Sequence, residues 1–210
     1  MPVLKQELEV KGLARVLFRQ RIKLDDYLID GIDILRKLVE LLIKLEREEA
    51  EATNGMLDLE LMLEDGFARF LESLDKKFYL PFYWEDMYEV YTSLNKIFAT
   101  LQAFATEKRI YNARFSFTRF LELEHRILDN ASCFLQEYMG NRKYAGELLK
   151  NNQHELKDFV RLYYQGIVSI SREQLQSHVT SRLLEHFLEI NALNTRVHDL
   201  LQKILIGTNL

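Results

Sequence analysis

The sequence predicts an all-α fold of six long helices, arranged as two antiparallel three-helix bundles about a pseudo-twofold. Three observations predict it. Eight glycines and two prolines in 210 residues leave few places for the chain to break, so its elements are long. Apolar residues recur at three- and four-residue spacings, the period of a helix with one buried face. Strictly alternating stretches, the mark of half-buried strands, are absent.

Residues 1–18 read as weakly helical, with Gly12 interrupting, either as a short leading helix or as an arm. The first long helix is expected over 23–52. Its apolar stripe is Leu24, Tyr27, Leu28, Ile32, Leu35, Leu38, Val39, Leu42 and Leu45, broad enough for a bundle core. Its end, KLEREEAEA, is charged and expected in solvent, with Lys44 and Glu48 four apart. Thr53-Asn54-Gly55 supplies the stop and the turn. The second helix is expected over 57–79, with Leu57, Leu61, Phe67, Phe70, Leu71 and Leu74 facing inward.

Pro81 pins the next corner, and Leu80 before it is pushed toward extended geometry. Phe78, Tyr79, Phe82, Tyr83 and Trp84 should wedge this corner against the core. Trp84, Glu85 and Asp86 open the third helix, over 84–106, and its acidic first turn suits the positive end of the dipole. Met87, Tyr91, Leu94, Phe98, Leu101 and Phe104 form its inner face. A fourth helix is expected over 111–139, with TEKRIYNA at its start either a turn or continuous helix, then a break at Gly140-Asn141 and a fifth helix over 144–170. Ser171 is a good N-cap, with Glu173 and Gln174 near the capping-box position, so the sixth helix covers 172–206. The two sets of three helices have comparable lengths and meet near residue 108. This pattern suggests a duplication within one domain, 1–210, with halves at about 20–107 and 108–206. Short connections favour antiparallel neighbours, so each half is expected to run up, down and up.

A chain of this length buries roughly 70% of its unfolded surface and needs no disulfide or metal to fold. Its single cysteine, Cys133, excludes a disulfide within the chain, and a reducing cytoplasm is the expected compartment. Cys133 reads as a small buried hydrophobe, with no basic neighbours in sequence to activate it. The net charge of −4, from 28 basic and 32 acidic residues, argues against nucleic acid as a partner. No stretch approaches the roughly 20 apolar residues of a spanning helix. The longest candidate, 32–45, is interrupted by Asp33, Arg36, Lys37, Glu40 and Lys44. The opening residues lack the apolar core of a signal peptide. These features predict a soluble cytoplasmic protein with peripheral membrane contact at most.

Chemistry is sparse. There is no Gly-rich phosphate loop and no nucleophile–base arrangement in a recognisable context. Glu46, Glu48, Glu49 and Glu51 form one acidic run, and Asp58, Glu60, Glu64 and Asp65 another. Glu60 and Glu64 share a helix face, and Glu122 and His125 have the Glu-x-x-His spacing of di-iron bundles. That motif occurs once, without the second copy such bundles need, so solvated carboxylates are the better reading. His178, His186 and His198 fall near one face of the sixth helix, but spread over about 30 Å at 1.5 Å per residue, too far for one site. His154 reads as surface, and the others as surface or interface. Arg161-Leu-Tyr-Tyr164 could dock a partner, though tyrosines in such a run more often pack with a polar tip outward.

One stretch carries a resemblance. In LDKKFYLPFYWEDMYEVYTSLNKIFAT, a basic residue and Phe (Lys77-Phe78), then Pro81-Phe82, then Glu85-Asp86-Met87 opening a helix, resembles the corner of the PhoU-like family often associated with Pit-type phosphate transporters. The closing HDLLQKILIG is similar to that family's last helix, and length, helix number and the three-plus-three division agree along the chain. The resemblance implies a six-helix fold and a non-enzymatic accessory or regulatory role in inorganic phosphate transport, exerted by protein–protein contact. It implies a membrane phosphate transporter or a signalling protein as partner.

The family's acidic E/D-x-x-x-D motifs, which can bind metal clusters, are degenerate here. Asn95, Lys96 and Ala99 stand at those positions on the third helix, and Ala192, Thr195 and Arg196 on the sixth. The second helix keeps only Glu60, Glu64 and Asp65. No metal ligand, cofactor site or catalytic residue is therefore assigned. The rival readings are a carboxylate-bridged metal enzyme and a structural helical adaptor unrelated to phosphate. Exposed apolar surface on the first or sixth helix would permit a homodimer.

Overall fold

The computed structural model describes residues 2–47, 53–75, 84–113, 115–170 and 177–207, with side chains for 24–47, 55–75, 84–113, 115–169 and 178–207. These form six helices: α1 (Pro2–Glu46), α2 (Thr53–Asp75), α3 (Trp84–Tyr111), α4 (Thr118–Glu137), α5 (Arg142–Ile170) and α6 (Ser177–Gly207). No strand occurs among the described residues, and the fold is all-α. No helix among them is long and apolar enough to cross a membrane. The Pro81 corner with Phe78, Tyr79, Phe82 and Tyr83, the acidic residues Glu48, Glu49 and Glu51, and the Ser171 cap lie outside the described residues.

The boundaries correct the sequence reading in four places. The leading segment and the first long helix are one element, because Gly12 lowers helix propensity without ending a helix. Thr53-Asn54-Gly55 opens α2 instead of forming a turn. Residues that stop one helix are also those favoured at the start of the next. The third helix runs on to Tyr111, and α4 begins only at Thr118. Asn112 takes a left-handed backbone (φ 47°), and Ala113 N–H donates to the Lys108 carbonyl, so the last turn of α3 is closed by an asparagine in the αL position. Lys108 and Arg109 in that turn suit the negative end of the dipole. The Gly140-Asn141 break is where the sequence placed it. The Asn141 side chain accepts from Tyr144 N–H at 3.2 Å and caps α5.

The most extensive pairings join α3 to α6 and α1 to α4, and then α4 to α5 and α5 to α6. The first two cross between the expected halves, and the buried apolar residues form one continuous core from Leu24 to Ile204. The two sets of three helices are therefore not separate cores. Antiparallel registers are fixed by side-chain pairs. Along α1 and α4 these are Asp25–Tyr138 at 2.8 Å, Arg36–Asp129 at 3.0 Å, His125–Glu40 at 3.1 Å and Arg47–Glu122 at 3.1 Å. Along α3 and α6 they are Arg182–Glu107 at 2.8 Å and Arg196–Glu89 at 3.2 Å.

The expected inner faces of α1 and α3 are where the sequence placed them. Leu24, Leu28, Ile32, Leu35, Leu38, Val39 and Leu42 are buried, as are Met87, Tyr91, Leu94, Phe98, Leu101 and Phe104. The inner face of α2 differs. Phe70 and Leu74 are buried and Phe67 is half-buried, but Leu57, Leu61 and Leu71 are exposed. The buried line runs through Leu63, Gly66, Phe70 and Leu74, at spacings of three and four. This helix carries two apolar faces, and periodicity alone does not say which one meets the core.

Candidate functional site

Among the described residues, the second apolar face of α2 is left uncovered by the fold. Leu57 is 58% exposed, Leu61 55%, Met62 49% and Leu71 39%. The helix leans on α1 and only touches α3, so its far side has no neighbour among the described residues. Around these residues stand the exposed carboxylates of Asp58, Glu64, Asp65, Glu72 and Asp75. Arg69, on the same face, is paired to Asp65 at 3.0 Å. The face ends in a cleft of about 760 Å³ between the end of α2 and the start of α3. Leu71, Leu74, Trp84 and Tyr88 supply its apolar walls, and Asp75, Glu85 and Glu89 its carboxylates. Phe67, Phe70 and Tyr91 stack beneath it, with ring centroids 5.0–6.4 Å apart, so the surface rests on a rigid floor. Apolar anchors with an acidic rim make a contact surface for a partner that is apolar and basic.

Of the residues weighed for metal chemistry, Glu60, Glu122 and His125 have other partners. Glu122 accepts from Arg47, and His125 pairs with Glu40, both across the α1–α4 seam. Glu60 accepts from the Gln102 amide at 3.0 Å, and Glu64 is exposed. No group of three or more His, Cys, Asp or Glu side chains is placed to hold a metal ion among the described residues. At the family's acidic positions, Lys96, Ala99, Ala192 and Thr195 are exposed, Asn95 is half-buried, and Arg196 is used in its pair with Glu89.

Histidine placement is mixed. His154 and His178 are exposed, and His186 lies 3.3 Å from Glu107 at the α3–α6 seam. His198 is buried, and burial pulls its imidazole below the ordinary range. Cys133 is half-buried rather than buried, and partial burial pushes its thiol up, away from the reactive thiolate. In the 161–164 run, Tyr163 packs against the core and Tyr164 is 64% exposed, while Arg161 bonds to Asp158. Exposed large apolar residues occur on α6 as Leu188 and Ile206, but none occurs on the part of α1 whose side chains are described. On α2 four large apolar side chains, Leu57, Leu61, Met62 and Leu71, are exposed.

Buried Glu124 and half-buried Lys108 went unread in the sequence. Glu124 is fully buried, and its one bonded partner among the described residues is the Asn194 amide, which donates at 2.6 Å. Burial pushes its carboxyl up to about 8, against the opposing pull of that hydrogen bond. The signal was available: Phe120, Glu124 and Leu128 stand four apart, which puts the carboxylate on the core face. Lys108 reaches the Glu46 carboxylate from the end of α3 and lies 5.6 Å over the Phe117 ring. Glu46 also accepts from Phe117 N–H at 3.0 Å, tying the ends of α1 and α3 to the entry of α4. Burial draws the Lys108 ammonium down to about 8, while the carboxylate beside it pulls the other way.

Comparison with protein-family models and with curated proteins finds no match for this chain.

Proposed function

We propose that this protein is a non-enzymatic accessory or regulatory protein of inorganic phosphate transport, working in the cytoplasm by protein–protein contact. The observation that supports contact is the outer face of α2, where Leu57, Leu61 and Met62 stand exposed among carboxylates. A partner segment that is apolar and basic would cover the leucines and meet the acidic rim. Cytoplasmic loops of membrane proteins carry an excess of Lys and Arg, which suits this face to a transporter's inner surface. The link to phosphate rests on the resemblance at Lys77-Phe78, Pro81-Phe82 and Glu85-Asp86-Met87. The polar side chains weighed for a metal enzyme serve instead as interhelical pairs, which favours contact over catalysis.

The test is capture of a detergent-solubilised Pit-type phosphate transporter by the purified protein. The double variant Leu57→Ser, Leu61→Ser should cut capture at least tenfold with little change in Tm, since both side chains are already exposed. Equal capture by both proteins would remove α2 from the reading. No capture by the native protein, together with unchanged phosphate uptake in cells lacking it, would favour the adaptor unrelated to phosphate.

A further inference from the structure

We propose that Glu124 is a neutral carboxylic acid in the folded protein, and that its ionisation loosens the contact between α4 and α6. The side chain is fully buried and its Oε2 accepts from Asn194, while Oε1 has no partner among the described residues. A buried carboxylate ion needs a cation or several donors to persist. The helices packed on α4 are α1, α5 and α6, and among their described side chains no buried cation stands unengaged. From α1, Arg36 is engaged by Asp129, Arg47 by Glu122, and Glu40 by His125, while Lys37 and Lys44 are exposed. From α5, Glu155 is engaged by Arg126 of α4 itself and Asp158 by Arg161; Lys157 and His154 are exposed. From α6, Arg196 pairs with Glu89, and Glu189 and Asp199 are exposed. His198 is buried and held toward its neutral form, so it supplies no charge.

Among the described residues, the surroundings also hold buried acceptors that no donor meets. Asn152 Oδ1, Asn191 Oδ1 and His198 Nδ1 are buried without partners, and Asn152 is 1% exposed. The Phe120, Phe159 and Phe187 rings meet at 4.8–6.1 Å and set a common level for α4, α5 and α6. From that level Glu124 lies four residues along α4, about 6 Å. Asn194 and Asn152 each lie seven residues along their helices in the same direction, about 10 Å. Glu124 therefore sits within about one turn of a layer of amides that is short of donors. The hydroxyl of a neutral Glu124 supplies one, and leaves Oε2 as the carbonyl oxygen that Asn194 already meets. Because α4 and α6 touch sparsely, this bond is a principal polar link between them.

The sign of the effect follows from proton counting. An unfolded chain releases this proton above about pH 4.5, whereas the folded protein keeps it to about pH 8. Between those values the folded state binds more protons, so stability falls as pH rises, and it levels off above about 8.

The experiment is a carbon-detected NMR titration of the Glu124 side-chain carboxyl in the whole chain, with thermal unfolding and hydrogen exchange of the native protein and Glu124→Gln. A carboxyl midpoint near pH 8 supports the proposal, and a midpoint in the ordinary glutamate range overturns it. Native Tm should fall relative to the variant from about pH 4.5 to about 8. Over that window, exchange in α4 and α6, corrected for its intrinsic pH dependence, should rise in the native protein alone. A gap in Tm that does not vary with pH overturns the proposal. A midpoint that drops when potassium or magnesium chloride replaces an inert salt at equal ionic strength also overturns it, since a cation then neutralises the carboxylate. If Glu124→Gln does not fold, the native carboxyl titration decides alone.

Discussion

Helices α2 and α5 occupy the same place in the two sets of three, yet they meet solvent differently. Helix α5 lies between α4 and α6 and packs well against both, whereas α2 leans on α1 and barely reaches α3. Along most of α5 the apolar residues are inside: Ala145, Leu148, Leu149, Leu156 and Phe159 are buried, while Lys150, Asn151, Gln153, His154 and Lys157 face water. Along α2 an inner line is buried and a second line of Leu57, Leu61 and Leu71 is not. A helix covered on two sides needs one broad apolar face, and α5 has that. An apolar line on a helix covered on one side marks a surface available to a partner. The contrast is one of coverage: α5 is held on two sides, and α2 on one.

The largest expected effect tests how deeply the two regions are seated in the common core. Phe187 is fully buried and meets Phe104, Phe117, Phe120 and Phe159, with ring centroids 4.7–6.1 Å apart. Phe187→Ala should cost about 3–5 kcal/mol, measured by urea unfolding. Phe67, half-buried on α2 among Phe70, Tyr88 and Tyr91, should cost about 1–2 kcal/mol when cut to Ala. Equal losses would mean that α2 is as deeply seated as the aromatic layer that α5 joins through Phe159, and the contrast would fail.

Two glycines give a finer comparison with opposite signs. At Gly66 of α2 a Cβ would lie 2.7 Å from the Tyr91 hydroxyl, and Tyr91 is buried, with its ring stacked on Phe70. Gly66→Ala gains helix propensity of about 1 kcal/mol, but overpacking costs about 1–3 kcal/mol, so Tm should fall. At Gly146 of α5 a Cβ would meet nothing within 4 Å. Gly146→Ala should raise stability by about 0.5–1 kcal/mol. Shifts of the same sign would show that backbone propensity, and not the close approach of α2 to Tyr91, sets the outcome.

What the sequence disclosed follows from the physics of pattern. Helices with one apolar face, such as α3 with Met87, Tyr91, Leu94, Phe98, Leu101 and Phe104, were legible because burial and period coincide. The inner face of α2 was not, because Leu57 and Leu61 repeat with the same period as Phe70 and Leu74. Only the position of the neighbours decides between them. The start of α4 was missed because Asn112 ends α3 through a left-handed backbone, a conformation that asparagine tolerates but does not announce. The sequence displayed Glu122 and His125 as a spacing and hid their use, since Arg47 and Glu40 come from a helix some 75–85 residues away. Glu124, between them, could have been flagged from its place on the apolar face, but its bond to Asn194 is a fact of packing.

The smallest effect concerns the seams. Glu107 closes the α3–α6 seam through two bonds to Arg182, at 2.8 and 2.9 Å, with His186 at 3.3 Å. On α2, Asp65 pairs only with Arg69 of its own helix. The Arg182 hydrogen bonds hold the Glu107 carboxyl below the usual glutamate range, outweighing the opposing effect of burial. Its folded pKa is thus depressed, so its contribution is complete above the ordinary glutamate value and is lost as pH falls through the lower one. Native protein should exceed Glu107→Gln in Tm at pH 7, and the gap should close on acidification. Because Arg182 is exposed, the gap should be small and should shrink in high salt. Asp65→Asn should move Tm less than Glu107→Gln at pH 7, since it breaks a pair within one turn of an exposed helix and joins no two elements. If Asp65→Asn moves Tm more, then α2 depends on its own charges for helicity. Its carboxylates would then be explained by folding and not by a basic partner.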